Sequence, residues 1–308
     1  MEPKKSKLVF GTVQLGMKYG INNTHNQPTR EESFLMLDAA LATGINTFDV
    51  AYGYGEAEDV LGEWIQTRSL AGKIYVISKM RPHVLNEYPD GTKASDIVQI
   101  ELEKSLKRLH LDSLDGYLLH TPHYIYLNNV MDGLRKVQSM GLVKNIGVSV
   151  YDEAEALQAV ELGVDYVQVP YNIFDQRLDA TDFFELAQKN NVTIFARSPF
   201  LQGLLLMQPD RLPKHLPYIR PYLEKFIEVT KRENISPLEA SLVFAEKHCP
   251  AEHIVFGVDT LSQLQEDLAI VKNFTPTKES NWISEVEDCF RNINRGAVNP
   301  SLWSKIKR

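Results

Sequence analysis

Short apolar runs alternate along the chain with longer stretches in which apolar residues recur every three or four positions. The runs at 8–11, 45–49, 73–79, 114–120, 143–149, 164–169, 192–197 and 253–257 read as strands. The stretches at 30–43, 56–66, 95–109, 127–140, 152–162 and 179–189 read as amphipathic helices; Phe34, Leu37, Ala40 and Leu41 make the spacing of the first. Gly44 and Gly163 each follow one of these helices, at the position where a left-handed residue ends a helix. Two helices, at 220–233 and 237–247, are expected after the seventh strand, and one at 261–271 after the eighth. Eight strand–helix units predict a closed (β/α)8 TIM barrel, one domain over residues 1–308 with its core at about 8–271. Residues 273–308 form a C-terminal helical extension in this reading, with Trp282, Ile283, Val286 and Phe290 on one helix face. The rival is an open doubly wound sheet. That fold usually shows G-x-G-x-x-G after its first strand, whereas Gly11, Gly16 and Gly20 are spaced 5 and 4 apart. Pro209, Pro213, Pro217 and Pro221 punctuate a long loop after the seventh strand, either a substrate clamp or an irregular connection.

Composition narrows the class. The chain is 44% apolar and 24% charged, which is ordinary for a globular protein. Its 33 Lys and Arg against 40 Asp and Glu leave a net charge of −7, which argues against a nucleic-acid partner. Two cysteines, Cys249 and Cys289, supply neither a disulfide framework nor an all-cysteine zinc site. No apolar leader precedes the first strand and no run is long enough to span a bilayer, so no membrane partner and a cytoplasmic location are expected.

Strand alternation then places polar side chains inside the barrel. With Phe48 turned to the helices, Asp49 points inward; with Ile74 and Val76 outward, Lys79 points inward; His120 shares the face of Leu118. An acid, a base and an imidazole thus stand at the carboxyl ends of strands two, three and four. A buried lysine needs a partner, and Asp49 is adjacent. Tyr54, five residues beyond Asp49, folds back over the mouth. The ammonium beside it is expected to stabilise its anion and lower its pKa toward a range useful for proton donation. These four residues make a carbonyl-protonating site without a metal.

The segment GINTFDVAYGYGEAEDVLG at 44–62 resembles the signature of the aldo-keto reductases. Ile-Ser-Lys at 77–79, Leu-Leu-His-Thr-Pro at 118–122, Gly-Val-Ser at 147–149 and Val-Gln-Val-Pro-Tyr-Asn at 167–172 follow in the family's order. The resemblance implies a (β/α)8 barrel that reduces aldehydes and ketones with a nicotinamide cofactor, and it maps the family's catalytic residues onto Asp49, Tyr54, Lys79 and His120. It also implies that Ser149 and Gln168 hold the nicotinamide carboxamide, although Val150 replaces the family's asparagine. Arg197 stands where many members stack an aromatic ring on the nicotinamide, and its strand parity with Thr193 and Phe195 turns it into the mouth. A guanidinium there either stacks or binds an anion. Gly257 and Gln263 replace a Lys and an Arg that grip the 2′-phosphate of NADP in some members, and Glu266 and Asp267 take the positions near the adenine. Gly11, Thr12 and Ser198 complete the expected cofactor-binding set. Family habit favours NADPH, with NADH not excluded.

The expected partner is a small carbonyl compound. Gln14, Lys18, Tyr19, His123, Tyr124 and Arg197 are candidates for a polar mouth, which favours a sugar or sugar-derived carbonyl. Three rival chemistries remain in view. A Schiff-base aldolase would use Lys79, but it needs a free amine that pairing with Asp49 opposes. A cofactor-binding barrel acting as a sensor or subunit would not need the four catalytic residues. A metal hydrolase needs ligand motifs such as H-x-H or H-E-x-x-H, which the chain lacks.

Overall fold

A computed structural model describes residues 4–273 and 281–303. The strands are β1 (Leu8–Gly11), β2 (Thr47–Asp49), β3 (Tyr75–Lys79), β4 (Leu114–Leu119), β5 (Val143–Ser149), β6 (Tyr166–Pro170), β7 (Thr193–Arg197) and β8 (His253–Phe256). All neighbours are parallel, and β1 pairs with both β2 and β8, which closes the barrel in chain order. Around it run α1 (Val13–Gly16), α2 (Arg30–Ala42), α3 (Ala57–Arg68), α4 (Ala94–Leu109), α5 (Asn128–Ser139), α6 (Glu153–Glu161) and α7 (Phe183–Lys189). They are followed by α8 (Arg220–Arg232), α9 (Pro237–Val243), α10 (Leu261–Asn273), α11 (Trp282–Phe290), α12 (Arg295–Val298) and α13 (Pro300–Trp303). The (β/α)8 architecture expected from the alternation is the one observed.

Two apolar layers follow from the strict alternation of strand side chains. Val9, Ile77, Leu118, Tyr166, Phe195 and Val255 fill the barrel interior. Phe10, Phe48, Val76 and Val148 face outward and pack under the helices, Phe48 lying 5.2 Å from the Trp64 ring of α3. The interior plug stops below the carboxyl ends of the strands, so Asp49, Ser149 and Arg197, each the last residue of its strand, form the floor of the mouth, with Lys79, the last of β3, beneath it. His120 stands one residue past β4.

Two helix starts carry the capping box. Thr29 with Glu32 caps α2 and Ser236 with Glu239 caps α9, each satisfying two otherwise unpaired N–H groups. Several boundaries differ from the sequence expectation. Residues 45–46 only lead into β2, because the Asn46 side chain is tied to Ser6 and Lys4 at the barrel base. The helix expected at 179–189 is broken: a 3-10 turn at Arg177–Ala180 ends at an extended Thr181, whose hydroxyl accepts from Phe183 N–H and restarts the chain as α7. The helix expected at 237–247 ends at Val243 and passes into a π-helical turn at Phe244–His248. The long loop after β7 holds 3-10 turns at Leu201–Leu206, Pro209–Arg211 and Pro217–Ile219. The expected apolar face of α11 buries Trp282, Val286 and Phe290, with Phe290 4.9 Å from Phe174. Residues 274–280 and 304–308 of the expected extension lie outside the described residues.

Candidate active site

Lys79 is fully buried, and its Nζ donates to Asp49 Oδ1 (2.7 Å), Asp49 Oδ2 (2.8 Å), Val50 O (3.1 Å) and Tyr54 OH (3.3 Å). Gln168 Nε2 donates to Asp49 Oδ2 at 2.8 Å, and Ser149 Oγ donates to Gln168 Oε1 at 3.0 Å. A continuous hydrogen-bonded chain therefore runs Ser149–Gln168–Asp49–Lys79–Tyr54 across β5, β6, β2 and β3. The His120 ring meets the Tyr54 ring edge-on at 5.5 Å.

Backbone packing holds Tyr54 in place. Thr12 fixes the end of β2, its N–H and hydroxyl both donating to Asp49 O at 2.9 Å. The α1 turn presses directly on the Tyr54 backbone. A Cβ on Gly16 would lie 1.8 Å from Tyr54 O, and Gly55 has φ +58, so both positions require glycine.

Removal from water dominates the protonation states. Burial raises the Tyr54 pKa far above its ordinary value, and the Asp49 charge adds to the rise. This corrects the expectation of a lowered Tyr54 pKa: Lys79 is neutralised by Asp49 before it reaches the phenol. Burial lowers the Lys79 pKa against the opposing pull of Asp49. Burial, then the charges of Lys79 and Arg197, push His120 down to about 3, so its imidazole is neutral.

Above these groups opens a cavity of about 660 Å³. It runs from Asp49, Tyr54, His120, Ser149, Arg197 and Ser198 past Gly11 and Thr12 to Gly257, Gln263, Glu266 and Asp267. Lys79 and Gln168 sit beneath its floor and reach it only through their partners. The loop after β1 crosses over it. Ile21 N–H donates to Gln202 O, Gln202 Nε2 to Tyr19 OH and Asn23 Nδ2 to Asp259 Oδ1, each at 3.0 Å.

Three comparisons bear on this arrangement. The family model for the aldo/keto reductases matches residues 7–288. The chain belongs to the aldo/keto reductase family. Membership makes it an oxidoreductase that reduces small carbonyl compounds with a nicotinamide cofactor. The reductase is 26% identical over 266 residues to aldo-keto reductase str7 of Strobilurus tenacellus, covering 77% of this chain and 76% of that one. It is 26% identical over 295 residues to aldo-keto reductase yakc of Schizosaccharomyces pombe, whose name specifies NADP(+), covering 85% and 83%. It is 28% identical over 242 residues to a D-threo-aldose 1-dehydrogenase of Pseudomonas sp, covering 68% and 73%. The crystal structure of the Pseudomonas aeruginosa protein PA4992 shares the fold with a TM-score of 0.63 at 21% identity, covering 86% and 89%.

The remaining expected residues lie at the far arm of the cavity and around Arg197. A Cβ on Gly257 would lie 2.7 Å from Gln14 Oε1, so the Gln14 side chain fills the space that a larger residue there would need. Gln263 turns back to cap its own helix, with Oε1 accepting from Asp259 N–H at 2.7 Å. Asp267 is 3% exposed; burial, and then the Glu266 charge, push its pKa up to about 8. Its Oδ2, like Gln14 Oε1, is buried on the cavity wall without a partner among the described residues. Arg197 Nη2 donates to Val150 O at 2.9 Å, Nη1 to Ser198 Oγ at 3.3 Å, and the guanidinium lies 4.6 Å from the Tyr151 ring centre. Of the other mouth residues expected, Gln14 and Tyr19 line the cavity. Lys18, His123 and Tyr124 do not: His123 stacks beside His83, and Tyr124 OH accepts from Leu85 N–H. Sequence reasoning missed Tyr151 and Asp259. Tyr151 was findable, since it shares the inward parity of Ser149. Asp259 carries no such signal, because it lies in a loop.

Proposed function

We propose that the reductase protonates its substrate from Tyr54, with His120 orienting the carbonyl and the Asp49–Lys79 pair positioning the phenol. The nicotinamide cofactor supplies the hydride when bound. The observation that carries this reading is the Lys79–Tyr54 contact at 3.3 Å, on the floor of the cavity and beside a neutral imidazole. A neutral His120 can donate one N–H to the carbonyl oxygen without taking a second proton. Tyr54 stays protonated at neutral pH, so its proton is available when an alkoxide, a far stronger base than a phenolate, develops beside it. Ser149 would meet the carboxamide directly, with Gln168 behind it, its amide engaged by Ser149 and Asp49. The partnerless Gln14 Oε1 and Asp267 Oδ2 fit the donor groups of a bound adenosine at the other end.

The Schiff-base alternative loses support at Lys79, whose ammonium is committed to two carboxylate oxygens and a carbonyl. The cofactor in this reading is NADPH, with NADH accepted nearly as well. Arg197 and Arg211 are the only Lys or Arg side chains on the cavity wall among the described residues, and the arm near α10 carries Asp259, Glu266 and Asp267 instead. A sugar or sugar-derived carbonyl suits the polar wall formed by Tyr19 and Asn22. A cytoplasmic location suits a reductase drawing on a nicotinamide pool.

Tyr54→Phe tests the reading. It should lower turnover by ~10² or more while leaving cofactor affinity, followed by tryptophan fluorescence, nearly unchanged. Near-wild-type carbonyl reduction by this variant would overturn the assignment.

A further inference from the structure

Positive charge in the mouth is unevenly balanced. Lys79 is neutralised by Asp49 at 2.7 Å. His120 is uncharged, as are the phenols of Tyr54 and Tyr19, the latter pushed up to about 12 mainly by burial. Arg211 on the same wall is exposed to solvent, which leaves Arg197 as the half-buried guanidinium. Its protein contacts are a carbonyl, a hydroxyl and the face of Tyr151. Among the described residues no carboxylate forms an ion pair with it, and the rest of its N–H fork has no partner.

The other partly buried arginines of the barrel wall differ. Arg177 pairs with Asp175 at 2.7 Å and Glu153 at 3.0 Å. Arg81 pairs with Glu87 at 2.6 Å and Glu101 at 3.1 Å, and Arg108 with Glu58 at 3.2 Å. A charge withdrawn from water without a counter-ion is costly, and these pairs are how the rest of the molecule avoids that cost. Arg197 is nonetheless held firmly. Tyr151, on which it stacks, is fixed from both sides: Arg177 Nη2 donates to Tyr151 O at 3.0 Å, and Tyr151 N–H donates to Glu155 Oε2 at 3.1 Å. An arginine that is positioned and half-buried but left without an acid is a receptor for an anion.

Resting on the reductase reading above, we infer that Arg197 selects carbonyl substrates that carry an anionic oxygen group, a carboxylate or a phosphate, and binds that group in the mouth. Such a group would bring the counter-charge that the protein omits. A sugar acid or sugar phosphate combines it with the polar wall.

Matched probes test the charge. 4-Carboxybenzaldehyde and 4-nitrobenzaldehyde share a ring and differ in the anion. The wild type should favour the carboxylate by ~10-fold or more in kcat/KM at low salt, and the preference should shrink as salt rises. Arg197→Met should bring the ratio between the probes close to that of their intrinsic reactivities, and Arg197→Lys should retain part of the preference. Titration calorimetry of 4-(hydroxymethyl)benzoate against benzyl alcohol, with and without NADPH, reads the same charge without turnover. A wild type that binds and reduces both probes alike at low salt overturns the inference while leaving the reductase reading intact. An Arg197→Met enzyme that loses NADPH and NADH affinity but keeps the probe ratio also overturns it, assigning the guanidinium to the cofactor diphosphate. Anion-selective calorimetric binding in a protein that reduces neither aldehyde would sustain the receptor and sink the reductase reading alone.

Discussion

His120 lies at the cavity floor, with the ammonium of Lys79 and the guanidinium of Arg197 both close enough to oppose a third positive charge. Burial is the larger effect, and together they hold its pKa at about 3 against an ordinary value of about 6.5. The unfolded chain therefore takes up a proton at about pH 6.5 that the folded protein refuses until about pH 3. Acidification between those values favours unfolding, and above them His120 contributes nothing to the pH dependence. Two measurements check this. The pH profile of kcat/KM should show no inflection near 6.5, and the urea midpoint should fall less between pH 7 and pH 4.5 in His120→Asn than in the wild type. An inflection near 6.5 that vanishes in His120→Asn would refute the neutral imidazole. Tyr54 follows the same logic in the opposite chemical sense. Its proximity to Lys79 is readable from the sequence, yet its pKa direction is not, because the sequence shows the nearby charge and hides both the desolvation and the competing carboxylate.

Strand ends are the legible elements of this molecule and loops are the opaque ones. Side chains alternate sides along a pleated strand, so parity alone puts Asp49, Lys79, Ser149, Gln168 and Arg197 on the inner side of the barrel. The crossing of the loop after β1 over the cavity rests on contacts between residues as far apart as Tyr19 and Gln202, or Asn23 and Asp259. No local pattern encodes such pairs. The broken helix before α7 has the same origin, a single threonine hydroxyl competing with the helix for Phe183 N–H. The start of α10 carries its own prediction. Gln263 caps the Asp259 N–H and no Lys or Arg from this helix lines the cavity, so a 2′-phosphate gains little there. Gln263→Arg should tighten NADPH by ~10-fold or more and NADH by less than ~2-fold, since one charge-assisted phosphate contact is worth ~1.5–3 kcal/mol. Parallel fluorescence titrations decide it. An equal gain for both cofactors would place the 2′ position elsewhere on the wall.

At the scale of the whole molecule the question is whether the C-terminal extension is an appendage or part of the barrel's core. Trp282, Val286, Phe290, Ile293, Val298 and Trp303 are all buried. Phe290 packs on Phe174 from the β6 side and on Phe226 of α8, and Gln176 Nε2 donates to Val286 O at 3.4 Å. Polar ties reinforce the seam: Arg295 with Asp152 at 2.6 Å, His248 with Glu287 at 2.6 Å, and Arg232 with Glu285. Solvent-accessible polar pairs of this kind contribute little, so the apolar contacts decide. Six large side chains at ~1.5–3 kcal/mol each approach the whole ~5–15 kcal/mol by which a domain is stable. Removing residues after Asn273 should therefore not release a trimmed barrel. It should uncover Phe174 and Phe226 and leave a chain that is largely unfolded or aggregated at room temperature, as circular dichroism and size-exclusion chromatography would show. The milder Phe290→Ala should keep the fold and lose ~3–5 kcal/mol in urea unfolding, the range for truncating a buried phenylalanine. Its single transition should shift as a whole, because extension and barrel share one core. Two separate transitions, or a truncated protein that still folds and binds NADPH, would make the extension a dispensable addition.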